Sequence, residues 1–180
     1  MDAFHHPGRN SLQRILAALG ICLIWLSTAG WVSAEELSTS IGTLQTPDNE
    51  LLWIEVSLGD RVLRLHQGDG SILKEMTIAV GKTSTPTPTG NFEVMEMVEN
   101  PIWQNPWEPS MIYKEGDPAN PLGVRWIGFK KSGEEDYGIH GTANRDSLGK
   151  AVTHGCIRLS NEDISNLYDQ LEEGTPIVIH

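Results

Sequence analysis

From Leu51 onward, apolar and polar residues alternate in short runs separated by turn residues, the period-two signature of half-buried strands. Leu51 to Leu58 is one such run, Gly59-Asp60 turns the chain, and Arg61 to Gln67 follows with Leu63 and Leu65 on one face. Gly68-Asp69-Gly70 leads into Ser71 to Val80, so three successive antiparallel strands are predicted. The stretch Thr83-Ser84-Thr85-Pro86-Thr87-Pro88-Thr89-Gly90 cannot continue a central strand. Its prolines have no N–H to give a ladder and bias the preceding threonines to extended backbone, which predicts a stiff loop. Asn91 to Val98 is the next strand, and Val124 to Phe129 another, with Trp126 and Trp53 assigned to the core. Pro101 to Trp107 is a proline-rich loop whose Trp103 and Trp107 either cap the core, the favoured reading, or line a substrate groove. Glu134-Glu135-Asp136 reads as a solvated loop, and His66 and His180 as surface residues. Only near the end does the period change. Ile164, Leu167, Tyr168 and Leu171 recur at helical spacing, predicting a helix over Asn161 to Glu173 with Ser160 or Asn161 as N-cap and Gly174 closing it. A short strand over Pro176 to Ile179 completes a mostly β domain with one or two short helices.

The first 34 residues have a different grammar. Arg9 and Arg14 precede an apolar run from Ile15 to Leu26, followed by Ser27, Thr28 and Gly30 and by Val32-Ser33-Ala34 before Glu35. A basic region, an apolar core and a small-residue site make a secretory signal peptide over residues 1–34, with cleavage expected after Ala34. Extending the run to Val32 approaches the roughly 20 residues of a membrane anchor, the competing reading. Residues 35–50, rich in Ser, Thr, Gly and Pro, read as a linker, which leaves 51–180 as the folded domain. The expected location is therefore the periplasm or cell wall, with an N-terminal membrane anchor if the signal is uncleaved.

Charge narrows the partners. The 180 residues carry a net charge of −11, and loss of Arg9, Arg14 and Asp2 makes the mature chain one unit more negative. A phosphate backbone would be repelled, so nucleic acid is disfavoured and not expected as a partner. No phosphate-cradling glycine loop is present and no convincing metal spacing, although Cys156, His154 and His140 could imitate a zinc set. No cofactor or metal is expected.

Cysteine usage then points to chemistry. Of the two cysteines, Cys22 lies in the leader, so the mature chain keeps one thiol, Cys156, without an internal disulfide partner. His140 precedes it by sixteen residues and His154 by two, while Arg158 follows by two. Thiolate is the nucleophilic form, and an imidazole or positive charge nearby helps a thiol to ionise. An activated Cys156 is therefore expected to react with iodoacetamide well below pH 8. Gly155 lets the backbone bend tightly and aim the Gly155 and Cys156 N–H groups at a developing oxyanion. The set suits covalent acyl transfer, with Cys156 as nucleophile and His140 as base. Arg158, on the same face as the thiol if the segment is extended, either holds a substrate carboxylate or steadies the loop. His154 and Tyr137 are further candidate substrate contacts.

Ile139-His140-Gly141-Thr142 and Lys150-Ala151-Val152-Thr153-His154-Gly155-Cys156-Ile157-Arg158-Leu159 closely resemble the active-site signature of the L,D-transpeptidase (YkuD) catalytic domain. The resemblance spans roughly residues 51–180. It includes Val80-Gly81-Lys82, the Thr85 to Gly90 loop, Asn120 to Gly128, and Gly174 to Ile179, in order. It implies a β-sandwich or barrel-like fold, and a backbone carbonyl at Gly141 or Thr142 that orients His140. The implied reaction is attack on the bond between the diamino residue of a peptidoglycan stem tetrapeptide and its terminal D-alanine. D-Alanine leaves, and an amine of a neighbouring stem, or of a wall-attached protein, resolves the Cys156 thioester. Water as acceptor would make the enzyme an L,D-carboxypeptidase. Two competing classes are a sortase-like cysteine acyltransferase of the envelope and a catalytically silent wall-binding module, which would tolerate loss of Cys156. A monomer is expected.

Overall fold

The computed structural model describes residues 51–133 and 135–180. The leader and linker assigned to residues 1–34 and 35–50 lie outside the described residues.

The predicted opening meander is present as β1 (Leu52–Ser57), β2 (Val62–Gln67) and β3 (Ile72–Thr77), paired antiparallel in succession. Alternation does the sorting: Ile54 and Val56 of β1 and Leu63 and Leu65 of β2 are fully buried on one face. The other face is less wet than expected. His66 is buried, stacked on the Trp53 ring at 4.0 Å, with Nε2 2.8 Å from Glu55 Oε2 and Nδ1 3.1 Å from the Gly70 carbonyl. His66 is thus not a surface residue and Trp53 not a core one, because the two cover each other on the outside of the sheet. His180 reaches the same Glu55 at 3.0 Å and stays exposed.

Past Thr77 the chain leaves this sheet. Ser71 to Val80 is therefore not one strand, and β4 (Val80–Gly81) pairs in parallel with a later segment, β11 (Ala151–Thr153). The predicted strand over Asn91 to Val98 also divides. β5 (Gly90–Glu93) joins the first sheet, and β6 (Glu96–Glu99) joins a second, with Val94 buried at the crossing between them. Two further pairs follow: the small hairpin β7 (Trp103–Gln104) and β8 (Ile112–Tyr113), then β9 (Arg125–Ser132) and β10 (Glu135–His140). Glu135 and Asp136 thus open a strand instead of lying in a solvated loop. After β12 (Ile157–Arg158) come helix α1 (Asn161–Tyr168) and β13 (Pro176–Ile179).

The result is a five-stranded sheet in the order β3-β2-β1-β13-β5 and a four-stranded sheet in the order β12-β10-β9-β6. Strand β13 returns to lie parallel to β1, bringing Ile177 opposite Ile54. The inner faces share one core containing Ile54, Leu63, Leu65, Ile127, Phe129, Ile139, Ile157 and Ile177. Each such side chain contributes about 1.5–3 kcal/mol on burial. Helix α1 seals it with Ile164 and Leu167. Ser160 caps the helix, its Oγ accepting from the Asp163 N–H at 3.0 Å. The helix stops at Tyr168, short of the predicted Glu173, and the turn that follows ends at Gly174. Trp107 is 70% exposed and Trp103 half-buried, so neither caps the core.

Candidate active site

Strand register assembles the site. In β9, β10 and β6, Trp126 pairs with His140 and Val98, while Gly128 pairs with Gly138 and Glu96. In the parallel pair β10 and β12, Ile139 stands opposite Ile157 and His140 opposite Arg158. Directly paired residues share a face. Ile139 and Ile157 point into the core, so His140 and Arg158 point the other way, with Cys156 one step back beside Gly138. The sixteen-residue separation in sequence is closed by two adjacent strands.

The floor of this face is Trp126. A Cβ on Gly138 would lie 2.6 Å from the Trp126 ring, and one on Gly128 would lie 3.1 Å from its Nε1. Two glycines therefore let the indole lie flat across the sheet. Its Nε1 donates to Glu96 Oε1 at 3.0 Å, and its ring stacks against His140 with centroids 5.9 Å apart.

His140 is buried, and its Nδ1 lies 2.6 Å from the Gly141 carbonyl. A carbonyl can only accept, so Nδ1 carries the proton in the neutral ring and Nε2 keeps the lone pair. Thr142 plays a different part: its hydroxyl accepts from the Asn144 N–H at 3.0 Å and shapes the turn after β10. Burial lowers the His140 pKa to about 4. The Gly141 carbonyl opposes that shift, the Arg158 charge adds to it, and the Leu122 carbonyl opposes it again. The imidazole is neutral at pH 7 and available as a base.

Cys156 sits with its Sγ 3.7 Å from the Asp136 carbonyl, to which the thiol donates. Burial pushes the thiol up, the Gly138 N–H and Arg158 pull it down, and the carboxylates of Asp136 and Glu135 push it up again. The net direction is upward, so the expectation of an ionised thiol below pH 8 is overturned. Removing a thiol from water penalises the anion more than the nearby donors compensate. At rest the pair is a neutral thiol and a neutral imidazole.

The turn before Cys156 is tied by Thr153, which is buried. Its hydroxyl donates to the Cys156 carbonyl at 2.6 Å and accepts the Gly155 N–H at 3.1 Å. Gly155 N–H is thus already engaged, which leaves Cys156 N–H as the remaining donor of the predicted oxyanion pair. Gly155 has another reason to be glycine. Its φ is +119°, and a Cβ there would lie 2.6 Å from the Tyr137 ring and 3.5 Å from the Pro86 carbonyl. The Pro-Thr loop accordingly packs against the nucleophile turn, with Thr85 Oγ1 donating to the Thr153 carbonyl at 3.0 Å. Tyr137 packs against that turn, and its hydroxyl donates to Glu135 Oε2 at 2.7 Å.

Arg158 is half-buried with its Nε unpartnered, and no carboxylate pairs with it among the described residues. Burial lowers its pKa and proximity to Cys156 raises it. His154 is exposed and leans on the Trp107 ring at 5.0 Å, away from the thiol's hydrogen bonds. The zinc-like set of Cys156, His154 and His140 is not assembled: among the described residues no three His, Cys, Asp or Glu residues are grouped to hold a metal ion.

Sequence reasoning missed Trp126, Gly138, Thr153 and Asp136 as parts of the site. Only Thr153 carried a signal, a Thr two residues before a glycine turn.

Comparison with known proteins identifies the family. The family model of the L,D-transpeptidase catalytic domain, YkuD, matches residues 52–179. A putative L,D-transpeptidase YkuD of Bacillus licheniformis is 37% identical over 150 residues, covering 83% of this chain and 78% of the relative. The putative L,D-transpeptidase YqjB of Bacillus subtilis is 39% identical over 113 residues, which cover 62% of this chain and 61% of that protein. Among solved structures, the catalytic domain of an Enterococcus faecium L,D-transpeptidase aligns with a TM-score of 0.56 and 25% identity, over 73% of this chain and 98% of that one. A carbamoyl enzyme of Ldtfm with avibactam aligns with a TM-score of 0.58 and 26% identity, over 72% of this chain and 48% of that one. The match spans less than two thirds of two of these four proteins, YqjB and Ldtfm. The chain belongs to the L,D-transpeptidase (YkuD) catalytic-domain family.

Proposed function

We propose that the protein is an exported L,D-transpeptidase that uses Cys156 as nucleophile on peptidoglycan stem tetrapeptides. The observation that carries this reading is the placement of Cys156, His140 and Arg158 on one face of adjacent strands, with His140 neutral and oriented by Gly141.

The thiol swings from the Asp136 carbonyl toward Nε2 of His140, which takes its proton as Sγ attacks the carbonyl carbon of the diamino residue. Concerted transfer suits a thiol whose pKa is raised, because no free thiolate has to accumulate in a partly buried site. The Cys156 N–H receives the developing oxyanion, an interaction worth about 2.7–4 kcal/mol per donor in acyl transfer. Gly155 N–H joins it on leaving Thr153 Oγ1. Collapse breaks the C–N bond, and the His140 proton goes to the departing D-alanine amine. Arg158, unpaired among the described residues, holds the carboxylate of that D-alanine. The thioester is then attacked by the amine of a neighbouring stem, or of a wall-attached protein, and Cys156 recovers its proton through His140.

Incubating the full chain with a disaccharide tetrapeptide and analysing products by mass spectrometry tests the reading. Cross-linked dimer and free D-alanine are expected from wild type. A folded wild type that releases no D-alanine, or yields only the hydrolysed tripeptide, would count against transpeptidation.

A further inference from the structure

Cys156 has unlike surroundings on its two sides. Arg158 and His140 lie on one. On the other, Asp136 of β10 is directly paired with Lys131 of β9, so their side chains stand together on one face. The Asp136 backbone carbonyl is the group 3.7 Å from Sγ, and the Asp136 carboxylate is close enough to oppose ionisation of the thiol, so the strand position that carries the pair adjoins the nucleophile. Lys131 and Asp136 line a shallow open groove with Glu96, Trp126 and Gly128.

Most charges nearby are already committed. Glu135 accepts the Tyr137 hydroxyl at 2.7 Å, and Glu96 accepts from Trp126 Nε1 at 3.0 Å. Lys130 lies over the rings of Tyr137 and Phe92. Two groups remain. The Asp136 carboxylate has no hydrogen bond or ion pair among the described residues, and Lys131, 54% exposed, makes one long contact with Glu96 at 3.7 Å. Beside the thiol, then, stand one uncommitted carboxylate and one nearly uncommitted ammonium.

Such a pair complements a carbon that bears both an ammonium and a carboxylate, each partner offering the opposite charge. Resting on the reading that Cys156 attacks the diamino residue of the donor stem, we propose that Asp136 and Lys131 read the tip of that residue's side chain. Asp136 takes its ammonium, and Lys131 takes a carboxylate on the same carbon. The preferred donor therefore carries a diamino dicarboxylic acid such as diaminopimelate with its side-chain carboxylate free. Lysine, which ends in an ammonium alone, leaves Lys131 unused, and an amidated side-chain carboxylate weakens the same contact.

Three synthetic tetrapeptide donors that differ only at the third residue test this: diaminopimelate, its side-chain amide, and lysine. D-Alanine release is measured as kcat/KM on the full chain. Wild type should favour free diaminopimelate over the other two by about tenfold, the value of one charge-assisted bond. Lys131→Ala should bring the three donors level, and Lys131→Arg should restore the preference. Asp136→Asn should raise KM for all three, since each presents the ammonium. A carboxylate that merely opposes thiol ionisation would give the reverse, a faster enzyme on removal. Equal use of the three donors by wild type, or a preference that survives Lys131→Ala, overturns the assignment. Release from no donor by a folded wild type removes it together with the Cys156 reading on which it rests, whereas equal release from all three removes the assignment alone.

Discussion

The buried His140 makes the protein's stability depend on pH in a calculable way. An unfolded chain exposes the ring, which then titrates near 6.5, whereas in the fold its pKa is about 4. Between those values the unfolded state binds a proton that the folded state refuses. Stability is therefore complete above pH 6.5 and falls as the pH drops toward 4. At 1.36 kcal/mol per pH unit, the window amounts to about 3 kcal/mol. That is a large share of the roughly 5–15 kcal/mol that holds a domain together. Urea unfolding followed by tryptophan fluorescence at half-unit steps from pH 4 to 7 measures it, with His140→Phe as the control that keeps an aromatic ring against Trp126. The lowered carboxylate of Glu55 also costs stability in acid, but equally in both proteins. The wild-type minus variant difference should shift by about 3 kcal/mol across the window. A difference that stays flat from pH 4 to 7 would refute the claim that His140 is held neutral by burial.

Other outcomes follow from the turn and the thiol. Alkylation of Cys156 by iodoacetamide should be slow at pH 7 and still rising above pH 8.5, and slower again in Arg158→Ala; a plateau below pH 7 would contradict the upward-shifted thiol. Thr153→Val removes the partner of both the Gly155 N–H and the Cys156 carbonyl, and should cost about 1–3 kcal/mol for each buried group left unpaired. Its melting temperature and D-alanine release should both fall, and an unchanged melting point would deny Thr153 its role. Gly155→Ala places a methyl group against the Tyr137 ring at positive φ, adding about 1–3 kcal/mol of strain, and should be read by thermal unfolding.

Local pattern carried the parts of the fold that depend on neighbours in sequence. The β1 to β3 meander is announced by its turns, and α1 by its apolar spacing and the Ser160 cap. Long-range pairing is where the pattern falls silent. Nothing in Pro176 to Ile179 says that this run lies parallel to β1, and nothing in Asn91 to Val98 marks the crossing at Val94 between sheets. His66 looks polar in isolation and is buried because Trp53 and Glu55, its neighbours across the ladder, cover it. The chemistry divides along the same line. Cys156, His140 and Arg158 could be named because their residue types are reactive and fall in one short stretch that resembles a family's active-site signature. The Trp126 floor, the glycines beneath it and the Asp136 to Lys131 pair exist only through the register of β9, β10 and β12. The thiol's ionisation is illegible in sequence for a related reason, since neighbours along the chain report nearby charge but not the loss of water.

Intact-mass spectrometry of the full chain during turnover of a disaccharide tetrapeptide shows whether Cys156 carries the acyl group. Wild type should gain the mass of the donor less D-alanine, localised to Cys156 by peptide mapping, while Cys156→Ala gains nothing and releases no D-alanine, and His140→Ala forms the adduct far more slowly. Release of D-alanine by folded Cys156→Ala at the wild-type rate, or an adduct on any other residue, would mean that Cys156 is not the nucleophile.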